Sequence, residues 1–234
     1  MKRKNFVKLL IMIMLLLCIS QIRCEETKAK SISYKVKTEK SQNKDEKGKV
    51  RGLVSYQYPK FEETSKEIKS INKEIKKKCD AFMKSDTADS LKEYTEIAIK
   101  ENGFHDENEQ YYYKTNCKVT YNKNNLLSVA MSWEWYAGGV ANSGSYGFNF
   151  NIKTGKKLTY KDVISGNAKA KVLKAAKSYL QRNAPDNTTA YDEIKNRKTY
   201  EFYFKSNKVY ICFESYELGM GSSSHKILVS GKYR

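Results

Sequence analysis

The sequence predicts an α+β fold in which an antiparallel β-sheet of about six strands carries helices packed on one face. The stretch Ile68–Phe82 repeats apolar residues at helical spacing, and Leu126–Tyr136 alternates apolar and polar residues as a strand does. Further strand-like runs stand on both sides of helical segments, which is typical of this fold class. A hydrophobic fraction of 40% with 18 tyrosines can build a sizeable core, which excludes a wholly disordered chain.

The first residues indicate export. Residues 1–24 begin with a cluster of positive charges and continue with an unbroken apolar run at 9–19. A membrane span needs about 20 apolar residues, so this shorter run fits a secretory signal peptide better. Cleavage after Ser20, a lipid anchor on a cysteine and retention as a membrane tether through residues 9–19 stay open. Each places the rest of the chain outside the cytoplasm, either secreted or attached to the outer face of a bacterial membrane.

Two segments of different composition follow. Residues 25–50 are rich in Lys, Glu, Ser and Thr and contain few apolar residues. Such a segment cannot bury enough surface to fold alone, so it is predicted to be a flexible charged linker. No second shift in composition occurs after it, and residues 51–234 are predicted to form one folded domain.

The first third of this domain predicts one strand and two helices. The strand covers Gly52–Tyr58 and ends at Pro59. The first helix covers residues 61–84, because its apolar residues recur at spacings of three and four. A second helix covers Thr87–Lys100, and the acidic stretch 101–110 is predicted to be a loop. The apolar face of the first helix consists of Ile68, Ile71, Ile75, Cys79 and Phe82.

The middle third predicts a hairpin and a further strand. The strands Tyr111–Tyr121 and Leu126–Tyr136 flank a turn at Asn122–Asn125. Residues 137–139 end the second strand, and Tyr146–Ile152 forms the next one. One face of the second strand carries Leu127, Val129, Met131, Trp133 and Trp135.

The last third predicts one helix and three strands. The helix covers Ala168–Arg182. A hairpin joins Tyr200–Phe204 to Val209–Phe213, and Lys226–Ser230 forms a short last strand.

Three cysteines remain after the export segment, and disulfides persist outside the cytoplasm. Cys79 lies on the apolar face of the first helix, and Cys117 lies in a strand of the central hairpin. If the helix packs on that strand, the two Cα atoms come within the roughly 4.4–6.8 Å that a disulfide needs. We therefore predict a Cys79–Cys117 disulfide with Cys212 free, and the alternative is three buried free thiols.

Several short motifs in the second half of the chain match a known pattern. Tyr136–Gly139 has the form Tyr-x-Gly-Gly, and Lys153–Lys156 contains Thr-Gly-Lys at a strand end. Phe202–Phe204 and Tyr216–Leu218 add a late Phe-x-Phe and Tyr-Glu pattern. The chain thereby resembles the RsiV-like and PdaC-like extracytoplasmic domains, although Val140–Ala141 stands where that family has Ala-His.

The resemblance spans residues 51–234 and implies a binding module of the cell envelope. The family includes the ectodomain of the lysozyme-sensing anti-sigma-V factor and an accessory domain of peptidoglycan deacetylases. Because about eight residues precede the apolar run and no metal-binding catalytic domain follows, we expect neither sigma-factor inhibition nor deacetylation. The resemblance implies a non-catalytic domain that recognises a wall polymer, or a wall-directed protein such as lysozyme.

The charge of the chain bears on the choice between these partners. The formal net charge is +18, and like charges oppose binding to lysozyme, which is itself basic. A local acidic patch would have to supply the attraction. The candidate patch is the predicted loop with Glu101, Asp106, Glu107 and Glu109, and a merely solvated loop is the alternative.

The basic residues favour a polyanion. Eight lysines and a single acid lie between Lys153 and Lys177, which is either a binding face or a merely solvated one. Outside the cell we expect no nucleic acid partner, whereas wall polyanions and peptidoglycan carboxylates are available. The predicted binding residues, from this helix and from the family motifs, are Tyr136, Gly138, Gly139, Lys169, Lys171, Lys174, Lys177, Tyr216 and Glu217.

The sequence contains no catalytic signature. Gly-x-Ser-x-Gly, phosphate-loop, His-Glu-x-x-His and paired Cys-x-x-Cys motifs are missing, so we expect no catalytic residue, cofactor or metal. The alternative is a small peptidoglycan-acting enzyme, for which Cys212 and His225 are the candidate nucleophile and base.

Overall fold

The computed structural model describes residues 31–62, 64–218, 221 and 223–230. In this part of the chain eight strands form two sheets, of five and three strands, and five helices accompany them. The α+β class is confirmed, but the prediction of a single sheet is wrong. The predicted export segment, residues 1–24, lies outside the described residues. No helix within the described ranges is both long and apolar enough to cross a membrane.

The larger sheet consists of β1 (Tyr34–Lys44), β2 (Val50–Phe61), β3 (Tyr111–Lys123), β4 (Leu126–Ala137) and β5 (Val140–Asn151). Its strands lie in sequence order, and all pairs are antiparallel except β2 with β3. There Gly52–Ser55 pairs in parallel with Tyr111–Lys114. A parallel neighbour requires the chain to return to the same end of the sheet, and two helices between these strands make that return. The predicted purely antiparallel sheet is therefore wrong at this pair.

Helices α1 (Lys66–Met83) and α2 (Asp86–Lys100) make this return and pack against β2. Each begins after a serine, Ser65 or Ser85, whose hydroxyl accepts the backbone N–H three residues later at 3.2 Å. The predicted apolar face of α1 is confirmed, because all five of its residues are buried.

Strand β1 corrects the prediction of a flexible linker over residues 25–50. Tyr34–Lys44 pairs with β2 along its whole length. A charged segment can do so at a sheet edge, because backbone hydrogen bonds hold it while its side chains remain in solvent. The Glu39 carboxylate also accepts a hydrogen bond from Tyr58 Oη at 3.0 Å and forms an ion pair with Lys76 Nζ at 3.1 Å. Composition indicates the solvated side chains but not the backbone pairing.

Pro59 does not end its strand as predicted, since β2 continues to Phe61. Proline has no backbone N–H and is tolerated in a sheet where the ladder needs no donor. Strand β3 pairs only with Gly52–Ser55. Pro59 therefore lies beyond the part of β2 that has a strand on both sides.

A second core lies between the smaller sheet and three helices. These elements are α3 (Tyr160–Val163), α4 (Ala168–Asn183), α5 (Thr188–Asn196), β6 (Phe202–Lys205), β7 (Lys208–Phe213) and β8 (His225–Ser230). The strands pair antiparallel in sequence order, α4 packs against β8, and α5 packs against α4. Helices therefore cover both sheets. The prediction that all helices pack on one face of a single sheet is wrong. The late strands pair with each other because their own helices cover their apolar residues.

Polar side chains join the two sheets. Ser128 and Asn149 alternate with the core residues of β4 and β5, so they point to the opposite face of the larger sheet. Ser128 Oγ donates to Asn149 Oδ1 at 2.7 Å and accepts from the Phe204 N–H at 2.9 Å. Asn149 Nδ2 donates to the Phe202 carbonyl at 2.6 Å. Gly147 permits this close approach, since a Cβ there would lie 1.9 Å from the Phe202 oxygen.

The predicted Cys79–Cys117 disulfide is not formed. Among the described residues Cys79, Cys117 and Cys212 are free thiols, the first and last buried and Cys117 half-buried. Helix α1 packs on β1 and β2, so Cys79 lies beside Glu39 of β1, whereas Cys117 belongs to β3. The alternative of three free thiols is the one that the structure supports.

Candidate functional site

Toward the end of β4, the face that packs in the core becomes partly exposed to solvent. Leu127, Val129 and Met131 are buried on this face, whereas Trp133 and Trp135, which follow on the same face, are only half-buried. Large aromatic side chains left partly exposed at the edge of a core are typical of binding surfaces. The predicted alternation in β4 is confirmed, but the sequence did not indicate where the covering helices stop.

The two tryptophans line a groove of about 580 Å³, here called the aromatic groove. Its walls come from α1, the start of α2, strands β3 to β5 and the segment after β7. Its size lies within the roughly 300–1,000 Å³ of small-ligand sites. Its aromatic residues are Phe82, Tyr113, Trp133, Trp135, Tyr146 and Tyr216.

Contacts among the rings hold the groove in shape. Phe82 of α1 stacks on Tyr113 of β3, with ring centroids 3.9 Å apart and 22° between the planes. Tyr113 meets Trp133 edge-on at 6.1 Å, and Tyr94 of α2 meets Trp135 edge-on at 6.5 Å. Each such pair contributes about 0.5–1.5 kcal/mol beyond its burial. The rings are therefore positioned before any ligand arrives.

Gly144 determines the position of Trp133. The two residues are direct partners between β5 and β4. A Cβ on Gly144 would lie 2.3 Å from Trp133 Nε1, so the indole lies against bare backbone. Neither the motifs nor the alternation of the sequence singled out this glycine, because its importance follows from strand register.

The indole N–H of Trp135 is unpaired among the residues that the structure describes. Its Nε1 is buried and makes no hydrogen bond within the described residues. A buried donor left unpaired costs about 1–3 kcal/mol.

Neutral phenols stand behind the rings. The hydroxyls of Tyr146 and Tyr56 share a hydrogen bond of 2.7 Å. Burial raises the pKa of both phenols well above their usual value, and it raises the pKa of Tyr113 to about 12. These groups therefore remain neutral at physiological pH. The Lys78 ammonium lies over the Tyr146 ring, 5.5 Å from its centroid.

The segment after β7 forms the outer wall of the groove. The backbone N–H of Ser215 donates to the Ser143 carbonyl at 2.9 Å, and the Ser215 hydroxyl donates to the same oxygen at 2.8 Å. This places Tyr216 at the rim, with 59% of its surface exposed. Tyr216 has φ of +61°, in the left-handed region that costs a non-glycine residue about 1–3 kcal/mol. Strain of this kind concentrates at functional sites.

A smaller recess of about 230 Å³ adjoins the groove and is here called the charged recess. The two share Lys78, Tyr146 and Glu214. Partial burial raises the pKa of Glu214, and the neighbouring Glu217 raises it further, although Glu214 as a whole residue is exposed. The ionisable Lys, Arg and Glu residues of the recess are Lys78, Lys157, Arg197, Glu201, Glu214 and Glu217.

Two of the predicted binding residues reach this site. Tyr216 lines the aromatic groove, and Glu217 lines the charged recess. The Glu217 carboxylate forms an ion pair with Arg197 and accepts the backbone N–H of Glu214 at 2.6 Å. Both residues come from the late motif of the family pattern.

The Tyr136–Gly139 motif forms a hairpin turn. Gly138 and Gly139 have φ of +57° and +89°, as a two-residue turn between β4 and β5 requires. Tyr136 Oη donates to Glu109 Oε1 at 2.6 Å, and this hydrogen bond lowers the pKa of Glu109. The motif lines neither the groove nor the recess.

The predicted lysine face lies elsewhere. Lys169, Lys171, Lys174 and Lys177 stand on α4, and none of them lines the groove or the recess. Lys174 and Lys177 are exposed, and the other two are half-buried. This face therefore forms a surface separate from the groove.

The candidate catalytic pair is not assembled. Strand pairing places Cys212 opposite Lys226 and Phe213 opposite His225. Successive strand residues point to opposite faces, so Cys212 and His225 lie on opposite faces of the smaller sheet. Burial raises the pKa of Cys212 to about 12, which disfavours the nucleophilic thiolate. His225 Nδ1 shares a hydrogen bond with Tyr179 Oη at 3.1 Å.

One cluster has the composition of a metal site. The ligand atoms of Glu39, Cys79 and Asp80 lie within 4.8 Å of one another. Lys76 Nζ binds both carboxylates, and hydrogen bonds to Asp80 and Glu39 raise its pKa. Burial raises the pKa of Cys79 to about 12, so this thiol is protonated. An ammonium group therefore stands where a cation would bind.

The acidic loop is partly engaged in internal contacts. Glu109 accepts hydrogen bonds from Tyr136 and from the His105 N–H at 2.5 Å. Asp106 Oδ1 accepts the Asn108 N–H at 2.6 Å. Two of its four carboxylates therefore serve the structure of the loop.

Comparisons with known proteins support the resemblance inferred from the motifs. Residues 43–142 match the model of the family described as deacetylase PdaC, which confirms the PdaC-like resemblance for this part of the chain. No curated protein matches the chain significantly.

Two solved structures of DUF3298-family proteins are similar in fold. The one from Bacteroides fragilis is 13% identical with a TM-score of 0.53, and the match covers 86% of this chain and 91% of that chain. The one from Pseudomonas aeruginosa is 15% identical with a TM-score of 0.50, covering 86% of this chain and 95% of that chain. At such identities the likeness concerns the fold alone.

Proposed function

We propose, from the match of residues 43–142 to the PdaC family, that this chain is a non-catalytic cell-envelope domain that binds peptidoglycan outside the cytoplasm. The aromatic groove carries the proposal, because it offers two half-exposed tryptophans within a preformed cavity of about 580 Å³. The apolar run at residues 9–19 supports export.

The glycan strand is the part of peptidoglycan that suits this groove. Sugar rings present flat C–H faces that pack on aromatic rings, while Trp and Tyr add polar groups at the ring edge. At the rim of the groove, the exposed side chains of Asn142 and Tyr216 offer polar groups to the sugar hydroxyls. A few polar groups on a mainly apolar wall are the usual composition of a ligand site.

A wall polymer is favoured over lysozyme as the partner. The chain carries a net charge of +18, which opposes a basic protein. The acidic loop would have to overcome this repulsion, but Asp106 and Glu109 already accept hydrogen bonds within it. The lysines of α4 instead support additional, salt-dependent attraction to wall polyanions.

Co-sedimentation with purified peptidoglycan tests the proposal. We expect Trp135→Ala and Tyr216→Ala each to weaken binding at least tenfold, about 1.4 kcal/mol. Tyr34→Ala is the matched control, because Tyr34 is also an exposed tyrosine, at 41%, and lies outside the groove. Retention that all three variants preserve but that about 0.5 M salt abolishes would contradict the groove and assign binding to the basic face.

A further inference from the structure

We propose, building on the proposed function, that the charged recess receives a peptide carrying both a free carboxylate and a free ammonium group. The domain would then bind glycan together with its attached peptide in preference to bare glycan. The sugar rings lie in the aromatic groove, and the peptide enters the recess. Three observations carry this inference: the contact between the two cavities, the unpaired charges of the recess, and the mixture of their signs.

The recess continues the aromatic groove. Lys78, Tyr146 and Glu214 line both cavities, so a ligand that fills the groove meets the recess directly. At about 230 Å³ the recess is less than half the size of the groove, which suits a short branch. A branched ligand with one apolar-faced part and one charged part matches this shape.

Most of the charged groups that line the recess form no ion pair with another described residue. Arg197 and Glu217 form an ion pair with each other. The Lys157 ammonium and the Glu201 and Glu214 carboxylates form no ion pair within the described residues. Charges that are concentrated in a recess and left unpaired favour a ligand that supplies the missing counter-charges.

The two signs restrict the class of ligand. Lys78 and Lys157 would bind a carboxylate, and Glu201 and Glu214 would bind an ammonium group. A polyanion such as a phosphate polymer would meet repulsion from the carboxylates, and a purely cationic ligand would meet repulsion from the lysines. A short peptide with both groups satisfies both pairs. The raised pKa of Glu214 agrees with this, because a bound ammonium group would favour its ionised form.

Titration calorimetry with three probes tests the inference on the full chain. The probes are a peptidoglycan fragment with its peptide, the same glycan with the peptide removed, and the free peptide. We expect the complete fragment to bind at least tenfold more tightly than the peptide-free glycan. We expect the free peptide to bind more weakly than the complete fragment.

Variants confined to the recess make the test specific. Lys157 and Glu201 are exposed and line the recess but not the groove. Lys157→Ala and Glu201→Gln should therefore remove the tenfold preference for the peptide-bearing fragment and leave binding of peptide-free glycan unchanged. Lys156 and Glu193 are exposed and lie outside the recess, so the control variants Lys156→Ala and Glu193→Gln should retain the preference.

The possible failures are distinguishable. Equal affinity for the fragment with and without peptide overturns the recess inference while leaving glycan binding in the groove intact. Equal affinity for the free peptide and the complete fragment also overturns it, and would indicate a peptide or protein ligand. Absence of binding by both glycan probes overturns the proposed function itself.

Discussion

At the residue scale, the shape of the aromatic groove depends on a side chain that is missing. Gly144 faces Trp133 across the β4–β5 pair, and the indole occupies the space that a Cβ would take. The tryptophan itself stands out in the sequence, but the glycine does not, because only the register of two strands makes them partners. Sequence periodicity thus predicts the face of β4 but not the fit of its side chains.

Gly144→Ala should displace the Trp133 indole. The new Cβ would lie 2.3 Å from Nε1, and overpacking of this kind costs about 1–3 kcal/mol. We expect a shift in tryptophan emission, a lower midpoint of urea unfolding and weaker peptidoglycan binding. Gly103→Ala is the control, because a Cβ there meets its nearest atom at an ordinary 3.6 Å. Unchanged emission in Gly144→Ala would show that the indole is not displaced. A shifted emission with unchanged affinity would show that peptidoglycan binding does not depend on the position of this indole.

Tyr136→Phe should make the domain less stable at neutral pH. The Tyr136 hydroxyl stabilises ionised Glu109 and lowers its pKa. A carboxyl group whose pKa is lower in the folded state stabilises the fold at pH values above its pKa in the unfolded chain. This contribution is lost as the pH falls through the pKa of the folded state. We therefore expect a loss of about 1 kcal/mol at pH 7 that diminishes toward pH 3, together with a higher Glu109 pKa by NMR titration.

Tyr112→Phe is the control for this measurement. Tyr112 neighbours Tyr136, with ring centroids 5.7 Å apart, and its hydroxyl makes no hydrogen bond within the described residues. A deficit in Tyr136→Phe that is the same at both pH values would exclude the proposed electrostatic origin.

At the element scale, an element is visible in the sequence when the interactions that form it are local. Periodicity predicts the apolar face of α1 residue by residue, because a helix forms its backbone hydrogen bonds within itself and its packed side recurs regularly along the sequence. Composition does not predict strand β1, because its stability comes from backbone pairing with β2, which leaves no apolar pattern. Local pattern does not predict the parallel β2–β3 pair either, because strand order depends on the route of the chain.

The junction of the two sheets should be sensitive to loss of its buried polar groups. Ser128→Ala and Asn149→Ala each leave partners unpaired, at a cost of about 1–3 kcal/mol. Because the two side chains bond to each other, the double variant should lose less than the sum of the single losses. Urea unfolding of all variants measures this coupling. Ser178→Ala, at an exposed serine of α4, is the control, and strict additivity would contradict a shared network.

At the scale of the whole molecule, the binding site combines segments that are far apart in the chain. Helix α1 and strands β3 to β5, which pack in the first core, form most of the aromatic groove. The exposed Glu214 and Tyr216 complete it from the segment after β7, of whose described residues only Leu218 belongs to the second core. Of the motifs that carry the family resemblance, Tyr136–Gly139 forms a turn of the larger sheet, whereas in the late motif Tyr216 lines the groove and Glu217 lines the charged recess. Local sequence patterns do not predict such a site, because its residues meet only when distant segments of the chain pack together.

The interior of the molecule also holds neutral thiols and phenols, and this predicts a loss of stability in alkali. Burial raises the pKa of Cys117 to about 11 and those of Cys79 and Cys212 to about 12, from an ordinary 9.0. Burial also raises the pKa values of Tyr113 and Tyr203 to about 12, from 10.0. When the unfolded chain ionises first, it binds fewer protons than the folded one, so stability falls as pH rises. Well below pH 9 these groups hold their protons in both the folded and the unfolded chain, so their contribution to the free energy of unfolding is fully present.

We therefore expect the melting temperature to stay level from pH 7 to pH 8.5 and to fall steeply between pH 9.5 and pH 11. Because the described thiols form no disulfide, adding a reductant at pH 7 should leave the melting temperature unchanged. Cys212→Ala should reduce the alkaline slope, since it removes one of the buried acids, whereas the exposed Tyr34→Phe should not. A level profile to pH 11 would mean that these groups ionise without opening the cores. A drop on reduction would mean that a disulfide contributes to stability after all.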